Sequence, residues 1–203
     1  MDATTIDARA WAERFIAEIE RRGAELTELD RRAGDGDYGT NLGSAVRRAA
    51  ANLAADGADT PGAVFTAVSN AFLNTGGTSG PLFGMWFREF AKALGAEVTP
   101  KALSEAAGNA AAVVQRLGKA EVGHKTMVDA MVPAARALAE AAERDTDVAT
   151  ALREAATAAH EGAASTEDLL ARRGRASYVG EHARGVVDPG ALTVAWFFDA
   201  ATG

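Results

Sequence analysis

Apolar side chains recur three and four residues apart along almost the whole chain, first at Ile6, Trp11, Phe15 and Ile19, then at Leu42, Val46, Ala49 and Leu53. That spacing gathers them on one face of an α-helix. No segment alternates apolar and polar residues as a half-buried strand would. The same period predicts helices over Pro61–Asn74, Leu82–Leu94 and Thr99–Leu117, and Thr99 followed by Pro100 is a start signal, a capping hydroxyl ahead of a proline at the first helical position. The pattern continues over Thr126–Arg144, where Pro133 must kink the helix or mark its first turn because it donates no backbone bond. It runs on through the alanine-rich Thr146–Ala163. Ser165–Arg173 reads as a further short helix, opened by Ser165 and Asp168 at capping-box-like spacing and stopped at Gly174. The last helix begins at Asp188, Pro189 and Gly190, and its "LTVAWFF" is apolar on nearly every side, which predicts a central place. The chain therefore reads as all-α, about eight helices joined by short turns and a few glycine-rich loops. No repeat or low-complexity linker divides residues 1–203, which reads as one domain.

Composition narrows the function classes. A hydrophobic fraction of 48% with 24% charged residues suits a packed core, and no stretch approaches the eighteen or so apolar residues of a membrane span. The opening "MDATTIDARAWAERF" is acidic and lacks the basic start and apolar run of a secretory signal. The absence of cysteine excludes disulfides and thiolate metal sites, which fits a cytoplasmic protein. A net charge of −7 argues against attraction to nucleic acid or an acidic membrane, leaving a small molecule or a protein as the partner. The abundant alanine reads as helix propensity and carries no function.

Chemistry concentrates in the glycine-rich segments. "LDRRAGDGDYGTN" crowds Asp30, Asp35 and Asp37 among glycines, so that a folded-back loop can aim three carboxylates at one point. Carboxylates held together repel unless a cation lies between them. Hard oxygen donors without cysteine point to Mg²⁺ or a relative, which commonly shares its shell with water and substrate phosphates. An EF-hand fits poorly, because Gly39 stands at a ligand position and no glutamate ends a twelve-residue loop. The bland alternative is a solvated turn with an aspartate cap. Thr40 and Asn41 open the next helix, whose free N–H groups and dipole favour an anion. "NTGGTSGPLFG" repeats the design with Thr78 and Ser79, although on its own it reads equally as an interhelical turn; no Walker A loop is present. "GRASYVGEHARGVVDPG" adds Arg175, a candidate phosphate or adenine-stacking partner, and Asp188, a cap with a carboxylate. His124, His160 and His182 are scattered without metal spacing, and Lys119 and Lys125 read as solvated surface charges.

Taken together, "AGDGDYGTN", "GGTSGPLFG", "GKAEVGHKTMVD" and "GRASYVGEHARGVVDPGA" resemble, in order and spacing over nearly the whole chain, the nucleotide-binding L subunit of dihydroxyacetone kinase, the DhaL family. The resemblance implies an antiparallel barrel of eight helices with ADP or ATP and two Mg²⁺ ions at one rim. Carried over by position, Asp30, Asp35 and Asp37 are the implied metal ligands. Tyr38, Gly39, Thr40 and Asn41, with Thr78 and Ser79, align with the phosphate contacts. Gly118, Met127, Arg175 and the Asp188, Pro189, Gly190 turn align with the adenine and ribose surroundings. No residue of this chain is implied as catalytic in its own right, because the family's ketose is held on a histidine of a separate K subunit (DhaK type), or of a fused K domain, which this chain lacks. The phosphoryl donor is either ATP or ADP recharged by a phosphotransferase protein of the DhaM type, and a homodimer stays open. Other small ketoses, or a noncatalytic regulatory role, remain alternatives. Two departures stand out: Tyr38 replaces the family's usual histidine, where a phenol can still donate one hydrogen bond, and His124 stands where relatives often have aspartate.

Overall fold

The computed structural model describes residues 6–203; the first five residues of the acidic opening lie outside the described part. Eight α-helices follow one another: α1 (Ala8–Ala33), α2 (Tyr38–Asp56), α3 (Pro61–Leu73), α4 (Ser79–Leu94), α5 (Pro100–Gly118), α6 (Val128–Glu143), α7 (Val148–Ser165) and α8 (Pro189–Thr202). Two short 3-10 turns, Arg175–Tyr178 and Gly180–Ala183, interrupt the long segment between α7 and α8. No strand occurs among the described residues. None of the described helices is long and apolar enough to cross a membrane.

Each helix packs on the next, and α8 returns to pack on α1, so the eight close into a ring. Short connections make the successive helices from α1 to α7 antiparallel, and although the α7–α8 connection is long, its two ends are hydrogen-bonded to each other, which sets α8 antiparallel to α7. The N-termini of α1, α3, α5 and α7 therefore share one end of the barrel, and those of α2, α4, α6 and α8 share the other.

Phe197 of α8 is the hub of the interior. Its ring lies 4.5 Å from Trp11 and 4.8 Å from Trp86, and 5.4 to 5.9 Å from Phe15, Phe65, Phe87 and Phe90. These edge and tilted contacts join α1, α3 and α4 to α8. The indole N–H of Trp11 donates to the Phe197 carbonyl at 2.7 Å, and Arg14 donates to the Ala200 and Ala201 carbonyls at 2.6 and 3.0 Å. A cation thus satisfies the orphan carbonyls at the end of α8. As the apolar run predicts, α8 is buried on nearly every side.

The alanines have a packing role that composition alone does not reveal. On α5, α6 and α7 the buried faces are largely alanine, including Ala106, Ala110, Ala130, Ala134, Ala155 and Ala159, which lets these helices approach closely. Pro133 falls inside α6, beyond its first turn. It offers no N–H to the Asp129 carbonyl, and Gly162 of α7 packs against that carbonyl so tightly that a Cβ there would come within 2.1 Å of the oxygen.

Two expectations are corrected. Asp30 does not belong to a loop, since α1 runs on to Ala33 and carries it in its last turns. Ser165–Arg173 does not form a helix: α7 ends at Ser165 and the chain leaves in turns and irregular backbone.

Candidate functional site

At the end of the barrel where α2, α4, α6 and α8 begin, a cavity of about 460 Å³ opens. Its wall takes residues from the start of all four helices, among them Tyr38 and Asn41, Thr78 and Ser79, Met127 and Val128, and Pro189 and Gly190. The two ends of the barrel treat their helix starts differently. At the far end every N-terminus is closed by its own side chain: Asp7 accepts from the Arg9 and Ala10 N–H groups, Thr60 from Ala63, Thr99 from Ala102 and Asp147 from Thr150. At the cavity end, Asp37, Thr78 and Met127 make no capping bond of their own; Asp188 caps α8, accepting from Ala191 N–H at 2.8 Å, while Thr126 Oγ1 takes the Val128 N–H of α6 at 3.2 Å and Asp30 takes the Tyr38 N–H of α2 at 3.0 Å. The N–H groups left open in the first turns of α2 and α4, with the positive ends of the helix dipoles, are available to an anion.

Asp30, Asp35 and Asp37 lie on the same wall. Asp30 is buried at 7% exposure, and its carboxylate accepts the Tyr38 backbone N–H at 3.0 Å. Burial pushes its carboxyl above the usual carboxylate range, and the charge of Asp35 adds to that, while the Tyr38 bond works against it. Asp35 is exposed and pairs with Arg175 at 3.0 Å. Asp37 leaves its carboxylate uncommitted to any cap. Among the described residues no three acidic or histidine side chains converge into a ready-made cage. The donor set still fits Mg²⁺, which takes one or two protein carboxylates and fills its octahedron with water and phosphate oxygens.

Most residues singled out from sequence reach this cavity: besides the three aspartates, Tyr38, Asn41, Thr78, Ser79, Gly118, Met127, Arg175, Asp188, Pro189 and Gly190 line it. Gly39 and Thr40 do not. Tyr38 begins α2, so residues 38 and 41 share a face one turn apart and the two between turn away. Gly39 instead lies on α1, where a Cβ would come within 2.2 Å of the Thr27 hydroxyl, and Thr40 is exposed.

Tyr38 also differs from expectation. Its hydroxyl lies 2.9 Å from Thr193 Oγ1, and Thr193 spends its own proton on the Pro189 carbonyl at 2.8 Å. Thr193 therefore accepts, and the Tyr38 O–H donates to it. That proton is committed inside the wall and is not offered to the cavity. Burial holds the phenol far above its ordinary pKa, so it stays neutral.

Sequence reasoning missed Lys125, Thr126 and Arg173, which also line the cavity. Lys125 is not a solvated charge but is 1% exposed. The aspartate of "GHKTMVD" was the available signal: Asp129 accepts from Gly123 and Thr126 N–H at 2.5 and 2.7 Å, folding the turn inward. Leu82, Val114 and Met127 add apolar lining to the cavity that holds the carboxylates. None of the three histidines is on its wall; His160 pairs with Asp199 at 2.6 Å on the outer surface, and His124 Nδ1 accepts the Glu121 N–H.

The family model of the DAK2 domain matches residues 32–203. The ADP-binding subunit DhaL of the PEP-dependent dihydroxyacetone kinase of Escherichia coli (strain K12) is 38% identical over 172 residues, covering 83% of this chain and 82% of that protein. The L-erythrulose 1-kinase of Mycolicibacterium smegmatis is 40% identical over 185 residues, covering 87% of this chain but 32% of that longer protein. Among solved structures, the dihydroxyacetone kinase from C. freundii in complex with AMP-PNP and Mg²⁺ superposes with a TM-score of 0.70 at 27% identity, over 96% of this chain and 33% of that one.

Proposed function

This chain belongs to the DAK2 domain family, and from that premise we propose that it is the nucleotide- and Mg²⁺-binding subunit of a dihydroxyacetone kinase, handing a phosphoryl group to a ketose held on a separate K-type subunit. The observation that carries this reading is the convergence of four helix N-termini, three aspartates and apolar side chains on one cavity. The polar lining suits phosphates and the apolar lining suits a purine. Phosphoryl transfer asks a protein mainly to position the donor and neutralise developing charge, so a site without a general base of its own is chemically sufficient.

Within that reading the residues divide the work. The open starts of α2 and α4, with the Thr78 and Ser79 hydroxyls, donate to the phosphates. Asp30, Asp35 and Asp37 would hold the metal, which would offset the charge of the phosphates. Arg175, which pairs with Asp35, is the exposed cation nearest that carboxylate and would offer its guanidinium to the nucleotide. Leu82, Gly118, Val114 and Met127 receive the base. The exposed large hydrophobics among the described residues are Leu117, Val122, Leu170 and Tyr178. All four belong to the end of α5 and the 119–127 and 166–188 segments beside the cavity, which are tied together where Arg172 N–H donates to the His124 carbonyl and Arg173 Nε to the Lys119 carbonyl. A partner carrying the ketose would seat there.

The test mixes the chain with a DhaK-type subunit, dihydroxyacetone and either ATP or a phosphorylated DhaM-type protein. Turnover only in the mixture is expected, and the donor that works identifies the route. Turnover by the chain alone would overturn the reading that the ketose is held on a separate subunit, and no turnover with any K-type partner despite nucleotide binding would overturn the kinase reading in favour of a regulatory module. The similarity to an L-erythrulose 1-kinase favours running erythrulose as a second substrate.

A further inference from the structure

Of the cations on the cavity wall, Arg173 and Arg175 are exposed, whereas Lys125 is buried. An ammonium has three N–H donors, and all three of Lys125 are spent on backbone carbonyls: Thr166 at 2.5 Å, Val186 at 2.6 Å and Glu167 at 3.3 Å. None remains for a phosphate, which separates Lys125 from a phosphate-binding lysine. The residue sits at φ 60°, a left-handed conformation that a lysine adopts only when its surroundings dictate it.

Its acceptors are the two feet of one long segment. Thr166 and Glu167 begin the stretch between α7 and α8, and Val186 closes it. The feet are also bound to each other, by Gly185 N–H to the Glu167 carbonyl and Asp188 N–H to the Thr166 hydroxyl, both at 2.8 Å. Between them the segment carries Arg173 and Arg175 and delivers Asp188 to the start of α8. Burial lowers the pKa of Lys125, and the neighbouring Asp188, Glu167, Asp168 and Asp129 work against that shift.

We propose that Lys125 is a positioning residue for nucleotide binding, a clamp whose ammonium grips both feet of the 166–188 segment and so fixes Arg173, Arg175 and Asp188 against the cavity. The effect on affinity rests on the nucleotide reading above; the effect on the segment does not.

The experiment compares the full chain with Lys125→Met, which keeps length and loses every donor, and Lys125→Arg, which keeps charge and donors. Hydrogen exchange is followed by mass spectrometry and Mg²⁺·ADP binding by calorimetry. In Lys125→Met, peptides over 166–188 exchange about tenfold faster or more while α3 and α4 peptides keep the parent rate. Mg²⁺·ADP affinity falls by about tenfold or more, the size that removing a support behind a binding site produces. Lys125→Arg recovers part of both. Unchanged exchange and affinity, or faster exchange spread evenly over all helices, would overturn the clamp. If Lys125→Met does not fold, the parent decides: amides of Gly185 and Asp188 exchanging as fast as those of exposed Gly174 and Arg175 would equally overturn it. A parent that binds no Mg²⁺·ADP would overturn the nucleotide reading instead, with the exchange result still judging the clamp.

Discussion

Tyr38 donates its hydroxyl proton to Thr193, within the wall that joins the start of α2 to the start of α8. Tyr38→Phe should therefore cost about 1 kcal/mol of stability, the net worth of one hydrogen bond, and leave Mg²⁺·ADP affinity unchanged. Denaturant melts and calorimetry measure both; a tenfold loss of affinity would mean that the hydroxyl reaches the phosphates after all. Asp188 carries a pH dependence. Burial pushes its carboxyl up to about 7, the Ala191 cap and the Lys125 charge pulling it down and Asp129 pushing it further up. The folded state thus holds a proton that the unfolded state releases at ordinary aspartate pKa. Stability from this group is complete below about pH 4 and is lost as pH rises toward 7. In thermal melts without nucleotide or metal, Asp188→Asn, which can still cap Ala191, should gain on the parent as pH rises through that window and hold its lead above it. A constant difference from pH 4 to 8 would refute the assignment.

Helix crossings are set by glycines that no loop requires. Gly39 sits in the first turn of α2 directly on α1, where a Cβ would meet the Thr27 hydroxyl at 2.2 Å and the Gly23 carbonyl at 2.5 Å. Gly108, in the middle of α5, has nothing within 4 Å. Gly39→Ala should destabilise the fold by about 1–3 kcal/mol through overpacking against backbone. Gly108→Ala should stabilise it by about 1 kcal/mol, because a helix-interior glycine only forfeits chain entropy. Opposite signs in denaturant midpoints are the check. The same contrast separates Gly39 from the phosphate contacts with which sequence position had grouped it. The absent Ser165–Arg173 helix is also an element-scale matter: the Thr166 and Glu167 carbonyls, needed for its first turn, bind Lys125, and the Thr166 hydroxyl binds Asp188.

At the scale of the molecule, an antiparallel ring sends alternate helix starts to opposite ends, and cap residues close every start at one end while the other leaves N–H groups of α2 and α4 open. Binding there should be linked to folding. Mg²⁺ with ADP should raise the thermal midpoint well above either alone, and ligand at about a hundred times its dissociation constant adds about 2.7 kcal/mol. Asp30→Asn keeps the shape that accepts Tyr38 N–H but removes a buried charge, so it should shrink the joint shift more than it alters the unliganded midpoint. Equal joint shifts in parent and variant would detach Asp30 from the nucleotide.

Helix periodicity and the Thr-Pro and Asp-Pro starts placed α3, α5, α7 and α8 within a few residues of their observed bounds, because an apolar stripe and a cap are local properties of the chain. The acidic and hydroxyl residues that reach the cavity were legible for a similar reason, lying in or beside the turns that start helices. What tertiary structure alone decided was direction and burial. Whether Tyr38 points its hydroxyl inward or outward depends on Thr193, far along the chain in α8. Whether Gly39 faces a ligand or a helix depends on Thr27. Lys125 is buried because three carbonyls from the segment after α7 surround it; Asp129 of "GHKTMVD" folds the turn inward, but nothing within that stretch encodes the approach of those carbonyls.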